Sequence, residues 1–346
     1  MTIHFIQGDL LKQTDVDAIV NTVNCVGVMG KGIALQFKKK WPANFKAYAA
    51  ACKAGEVKTG HMHIYHAGAL ATPKFVVNFP TKDHWRGKSK IEFIQDGLED
   101  LVEQIRDLDI RSIAIPPLGC GNGGLPWKQV LLQIEEAFAE LPEVEVRLFE
   151  PAGAPSVKQM EVNTKRPNMT AGRAAILKVL DTYRELNYGL SKIEVQKLAY
   201  FLQEAGENLK LNFVKHNYGP YADPLRHALN RMDGHFIHGM GDGVVEAEIA
   251  PVESALQEAD EFIRSHASLA LEGYVDRVAE LIEGFQSPYG MELLSTVHWV
   301  VTRENAKSEQ EVIEKIQQWN PRKRNLMKPE HIRVTLKHLK RLNWLH

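Results

Sequence analysis

The sequence predicts an α/β fold, a mixed sheet sandwiched by helices, followed by a mainly α-helical domain. Two observations predict it. Up to residue 151, short runs rich in β-branched and aromatic residues alternate with amphipathic helical stretches. Beyond a break rich in Pro, Gly and charge, apolar residues recur almost only at helical spacing. At 346 residues the chain has room for about two domains, each with its own core.

Strands are expected at "IHFIQ", "AIVNTV", "MHIYHA", "KFVVNF", "SIAIPPL" and "VEVRLFE". Helices are expected between them at 31–40, 45–54, 91–108 and 127–140. In the third of these, Ile91, Ile94, Leu98, Leu101 and Ile105 recur at three and four and mark one buried face. "EPAGAPSVKQMEVNTKRPN" reads as a linker, which divides the chain into 1–151, a linker at 152–170, and 171–346. Past it, Ile176, Val179, Leu180 and Tyr183, then Ile193, Val195, Leu198, Ala199 and Leu202, mark two amphipathic helices, and 256–285 supplies more. "HNYGPYADPL" is expected as a turn before a helix and "HFIHGMGDG" as a short hairpin. No repeat at solenoid period is present.

An apolar fraction of 44% with 25% charged residues is that of a globular protein. No apolar run approaches the ~20 residues of a membrane span, and "MTIHFIQGDL" lacks the regions of a signal peptide, so the expected address is the cytoplasm, with no membrane partner. Cys25, Cys52 and Cys120 have no close spacing, which argues against a zinc site or a disulfide framework. His61, His63 and His66 lack Cys or carboxylate partners and read as a half-exposed strand face, so no metal and no cofactor are expected. Net charge is −1, but its distribution is uneven: residues 242–283 carry eleven acidic residues against two arginines, and 303–341 carry eleven basic against five acidic.

In an α/β sheet, ligands bind beyond strand ends, where loops turn into helices. Two loops fit. "NTVNCVGVMGKGIA" comes after a strand and opens a helix, and "PPLGCGNGGLPW" repeats the pattern. Amides at a helix start, with no Cβ in the way, cradle an anion, and two such loops can clamp one diphosphate. Neither loop is a P-loop, because Lys31 is followed by Gly32, and no "GxGxxG" stands after the first strand.

Taken in order, "GDL", "AIVNTVN", "GKGIA" and "PPLGCGNGG" resemble a macrodomain, the ADP-ribose-binding α/β fold, over about residues 1–151. The resemblance implies that Asp9, with Gly8 and Leu10, meets the adenine. It implies that Asn24 bonds the distal ribose, and that Asn21, Thr22 and Thr81 are among the ADP-ribose-binding residues. The diphosphate would fall to Gly30, Lys31, Gly32, Ile33 and Ala34 on one side, and to Pro117, Leu118, Gly119, Cys120, Gly121, Asn122, Gly123, Gly124 and Leu125 on the other.

"NFPTKDHW" sorts the branch. Thr81 and Lys82 match the "TK" position of the terminal ADP-ribose protein glycohydrolase branch. That branch pairs its lysine with an aspartate two residues after "GCG", where this chain has Gly123. "NFPTKDHWRGKS" and the helical second half together resemble the DarG family, antitoxins of DarT-type toxins that ADP-ribosylate bases of single-stranded DNA. The implied activity is cleavage of the bond between the ribose anomeric carbon and the base nitrogen. Such a step passes through an oxocarbenium-like sugar, so Lys82 would either donate to the departing base as ammonium or attack the sugar as an amine. Asn24 would orient the scissile bond. Arg86, Lys88 and Lys90, with Lys82, cluster beside Trp85 and combine cation and aromatic as single-strand sites do, against the alternative of a solvated loop with one buried Trp; His84, next to Lys82, is a weaker candidate for the site.

In the second half, "KLAYFLQ" with "YGPYA" downstream resembles the SocA-type (Panacea) antitoxin domain, which implies a module that binds the cognate toxin. The acidic stretch could present carboxylates in place of phosphates, or be an ordinary solvated helix face. Three readings stay open: a DNA ADP-ribosyl glycohydrolase with a toxin-binding tail, a non-catalytic ADP-ribose reader, and a protein-ADP-ribose hydrolase.

Overall fold

The computed structural model describes residues 2–68, 71–151, 161–184, 190–240, 248–265 and 269–345. Residues 152–160 of the expected linker, 241–243 of the expected hairpin, and 242–247 and 266–268 of the acidic stretch lie outside them. The chain divides into two compact units at Lys165/Arg166.

In the first unit the elements run β1 (Thr2–Ile6), β2 (Ala18–Asn24), α1 (Gly32–Lys40), α2 (Pro42–Ala54), β3 (His63–His66), β4 (Phe75–Lys82), α3 (Ile91–Asp107), β5 (Ser112–Ile115), α4 (Trp127–Phe138) and β6 (Glu145–Phe149). The strands form one sheet in the order β1-β6-β5-β2-β4-β3. All neighbours are parallel except the edge pair β3–β4. Central strands are covered on both faces, which is why β2 and β4 read as apolar runs rather than alternating ones. One face packs α3 and α4 through Ile94, Leu98, Leu101, Ile105, Val130, Ile134 and Phe138. Gly97 on α3 makes this packing tight, since a Cβ there would lie 2.4 Å from the Phe79 ring.

Parallel pairing puts the C-terminal ends of β1, β2, β4 and β5 at one edge of the sheet, where the candidate residues stand. His61 precedes β3, and His63 and His66, three apart along that strand, point to opposite faces, so the three do not form one face; His61 pairs with Asp100 at 3.6 Å. Among the described residues no group of His, Cys, Asp and Glu could hold a metal, and no helix is long and apolar enough to cross a membrane. The described end of the expected linker is tied down: Asn163 N donates to Lys39 O at 2.9 Å, and Glu161 pairs with Lys40 at 3.1 Å.

The second unit holds α5 (Ala171–Arg184), α6 (Lys192–Ala205), β7 (Val214–His216), β8 (Gly219–Tyr221), α7 (Asp223–Met232), β9 (Ile237–His238), β10 (Ala250–Pro251), α8 (Glu253–Ser265), α9 (Leu269–Ile282), α10 (Pro288–Thr302), α11 (Glu309–Trp319), α12 (Pro321–Leu326) and α13 (Pro329–Arg341). "HNYGPYADPL" is more than a turn, because β7 and β8 pair as an antiparallel hairpin before α7. Its "GPYA" is pinned to α6: Gln196 donates to Ala222 O at 3.0 Å and accepts from Ala222 N at 2.9 Å, while Lys197 Nζ donates to Pro220 O at 2.6 Å. Beside them, Glu292 accepts from buried Lys323 at 2.6 Å and from Arg322 at 2.7 Å. The two motifs that suggested an antitoxin domain are thus halves of one buried polar joint.

Burial, with the charge of Lys323 adding, pushes the Lys197 amine down to about 7 from its ordinary 10.5. Between those values the unfolded chain binds the proton that the folded chain rejects, so folding stability rises with pH. Urea unfolding of the wild type should show this rise from pH 7 to 10, and Lys197→Met should show a smaller one, the remainder coming from the other buried lysines such as Lys323.

Candidate functional site

The candidate site is framed by the segments that leave the ends of the parallel strands. After β1, Asp9 Oδ1 accepts from Leu11 N at 2.9 Å and caps a short 3-10 turn. After β2 comes the first glycine loop, leading into α1, and after β5 the second, leading into α4. Neither helix start carries a side-chain cap, so both open their first amides toward the loops. The loops meet at their tips: a Cβ on Gly32, at φ +57°, would stand 3.3 Å from Asn122 Nδ2.

Register sets the heart of the site. Along β2 and β4 the residues pair in step until Val23 faces Pro80; then the ladder slips by one, and Asn24 faces Lys82. The skipped residue, Thr81, is buried and reaches Val23 O at 3.5 Å. A slip of one residue exchanges the faces of a strand, and here it re-aims Lys82. Half-buried Lys82 then donates to Asn122 O at 2.5 Å and so touches the second loop. Burial holds its pKa below the ordinary lysine value, with the charge of Lys88 adding.

Asn24 does more for the loop than the family resemblance implied. Its Oδ1 accepts from Val26 N at 3.0 Å and Val28 N at 3.3 Å, and its Nδ2 donates to Val28 O at 2.6 Å. This leaves one of its two N–H groups outside those bonds. Tyr48, fully buried on α2, donates to Asn24 O at 2.5 Å and holds the strand end in place. Nothing in "NFKAYAA" marks Tyr48, since its partner lies 24 residues earlier.

Several expected contacts need correction. Asn21 is wholly buried, donating to Asn78 Oδ1 at 3.0 Å, and Asn78 in turn donates to Asn44 at 2.7 Å; the parallel pairing Asn21↔Asn78 makes its side chain an internal brace. Leu10 and Leu118 are core residues, and Thr81 faces Val23, so only their main chains could meet a ligand. Gly8, Thr22, Gly30, Lys31, Ile33, Pro117, Cys120, Gly121, Asn122, Gly124 and Leu125 keep some exposure, whereas Gly32, Ala34, Gly119 and Gly123 are buried. Cys25 and Cys120 are thiols at neutral pH, each pushed up to about 11 chiefly by burial. Trp85 is 47% exposed, so the alternative of a buried indole fails.

Gly123 is glycine for a steric reason. A Cβ there would sit 2.0 Å from Gly119 O and 2.4 Å from Ser89 Oγ, a buried hydroxyl without a partner among the described residues. The aspartate of the protein-directed branch therefore cannot stand at this position with the loop as it is.

Two glycine loops at parallel strand ends, with an asparagine closing β2, define a macrodomain, and residues 20–134 match the Macro domain family model. The chain is 46% identical over 334 residues to the DNA ADP-ribosyl glycohydrolase of Thermus aquaticus, across 96% of this chain and 92% of that one. It is 42% identical over 343 residues to the DNA ADP-ribosyl glycohydrolase of Mycobacterium tuberculosis, across 95% and 96%. A DNA ADP-ribosyl transferase-DNA ADP-ribosyl glycohydrolase fusion protein of Thermosipho africanus is 34% identical over 140 residues, 36% of either chain. The chain belongs to the DNA ADP-ribosyl glycohydrolase (DarG) family.

Overpacking at Gly123 should be costly, by about 1–3 kcal/mol. Thermal unfolding of the first unit should show Gly123→Ala clearly destabilised and Gly121→Ala unchanged, since a Cβ on Gly121 meets nothing within 4 Å.

Proposed function

We propose that the first unit removes ADP-ribose from bases of single-stranded DNA by cleaving the ribose–base N-glycosidic bond, with Lys82 as the catalytic residue. The observation that carries this is the β2–β4 slip, which sets Lys82 beside Asn24 and against the second glycine loop. The names of the full-length relatives support DNA as the substrate. A reader that only binds ADP-ribose would have no use for a half-buried amine at the ribose end, and the blocked Cβ at Gly123 disfavours the protein-directed lysine–aspartate chemistry.

In this reading the diphosphate lies on the amides of the two loops, and the distal ribose rests near Asn24. As the bond between the anomeric carbon and the base nitrogen breaks, its electron pair goes to the base and the Lys82 ammonium supplies the proton. Water then adds to the anomeric carbon, and its proton returns Lys82 to the ammonium form. A lowered pKa suits the acid role, since it makes the ammonium a stronger donor.

The second unit, in the same proposal, binds a DarT-type transferase toxin. The fused transferase and glycohydrolase of Thermosipho africanus support a partnership between the two activities. Mimicry of DNA by the acidic stretch gains little support: Glu258 pairs with Arg166 at 2.5 Å and Asp260 with Lys178 at 2.8 Å, which leaves Glu261 exposed.

Incubation with ADP-ribosylated oligonucleotide and with ADP-ribosylated protein tests the first proposal. The wild type should release label from DNA, and Lys82→Ala should be slower by roughly 100-fold or more while still binding ADP-ribose in calorimetry. Release from protein alone would overturn the DNA assignment. The wild-type rate should fall as pH rises through the lowered Lys82 pKa; a rate that climbs there would favour the amine nucleophile.

A further inference from the structure

Residues 83–90 form a rim that the bond-breaking chemistry leaves unused. One end is fastened to the first glycine loop, where Cys25 N donates to Asp83 O at 3.1 Å. The other end is fastened to the second, where Ser89 N donates to Gly123 O at 3.1 Å. Between the anchors the chain turns tightly, with Gly87 N donating to His84 O at 2.9 Å and Arg86 N to His84 Nδ1 at 3.2 Å.

The turn presents rings and cations outward. The Trp85 ring stacks on His84 with centroids 5.4 Å apart and planes 30° apart, and the Arg86 guanidinium lies 4.5 Å from the indole centre. All three side chains are exposed, as is that of Lys88, whose amine reaches back over Gly124. Fastened at both ends and internally bonded, the stack needs little ordering to receive a partner. Aromatic faces joined to guanidinium are how unpaired bases are held without regard to sequence, and the neighbouring cations suit the phosphate between two nucleotides.

We propose that the His84–Trp85–Arg86 stack is a subsite for an unpaired nucleobase flanking the modified one, with Lys88 meeting the intervening phosphate. The inference rests on the DNA reading above and adds to it: the enzyme grips the strand, not only the ADP-ribose. The rim borders the candidate site, because it follows Lys82 directly and is bonded to both glycine loops, so a strand whose modified base stands at Lys82 has this rim within reach. The subsite also selects single strands, since a flanking base held in a duplex cannot turn its face to the stack.

The test uses the full chain and two oligonucleotides bearing the same ADP-ribosylated base, one with ordinary flanking nucleotides and one with abasic flanks. For the wild type, kcat/KM should be about tenfold lower on abasic flanks, mainly through KM. Trp85→Ala should bring the two substrates nearly together, and Trp85→Phe should restore most of the difference. Added salt should weaken the wild type more than Lys88→Gln, as expected if a phosphate contact is lost. Equal wild-type rates on both substrates, or a Trp85→Ala protein that keeps the full difference, would overturn the subsite. Failure of the wild type to release ADP-ribose from either oligonucleotide would instead overturn the DNA reading on which it rests.

Discussion

The one-residue slip between β2 and β4 is the constraint on which the site depends. In an unbroken parallel ladder Asn24 would face Thr81, and Lys82 would lie one step further on. With the slip, Thr81 is absorbed into the interior and the lysine lies beside the asparagine that shapes the first glycine loop. The second loop then has a fixed neighbour, because Lys82 bonds to the Asn122 carbonyl. A local irregularity in one strand pair thus joins three segments that are remote in sequence.

The loops themselves are held by close backbone packing, which explains their composition more fully than ligand binding does. Gly123 lies so near Gly119 O that no side chain fits, and Gly119 at φ +68° is itself crowded by Leu125 and Ser89. Gly121 and Gly124, in contrast, have open space or only a lysine end beside them. Glycines in one loop therefore divide into those that let the chain fold on itself and those that leave its amides bare. The same crowding shapes the chemistry: no carboxylate can stand at Gly123, and Lys82 bonds the Asn122 carbonyl and feels the charge of Lys88. An amine in such surroundings is tuned by burial rather than by an ion pair.

Much of this was legible in the sequence. Strand and helix positions came from periodicity, and the glycine loops stood out because few residues tolerate the geometry they need. Asn24 and Lys82 were legible as members of motifs. What could not be read was their relation, since a register slip is decided by how two strands pack and leaves no mark in either. Asn21 shows the opposite failure. It sits in the same motif as Asn24, yet it points into a sheet covered on both faces and finds its partner in Asn78 across the ladder. Tyr48 was invisible because any apolar helix face contains such a residue. The exposure of Trp85 was equally hidden, since indoles are buried more often than not and only the fastened turn at 84–87 keeps this one outside.

In the second unit a recognisable motif proved to be structural. "YGPYA" and the Gln-Lys of α6 satisfy each other's buried polar groups, and Glu292 offsets the charge of Lys323. Breaking one member would leave a buried donor or charge without a partner, a loss of about 3–5 kcal/mol for an ion of this kind. Such joints resist substitution for reasons of stability alone, so they identify a fold without locating its binding surface. A surface for a protein partner has to be sought among side chains that are not already spent. On α8 this criterion removes Glu258 and Asp260, which are tied to Arg166 and Lys178, and it turns attention from the number of acidic residues to the few that remain exposed.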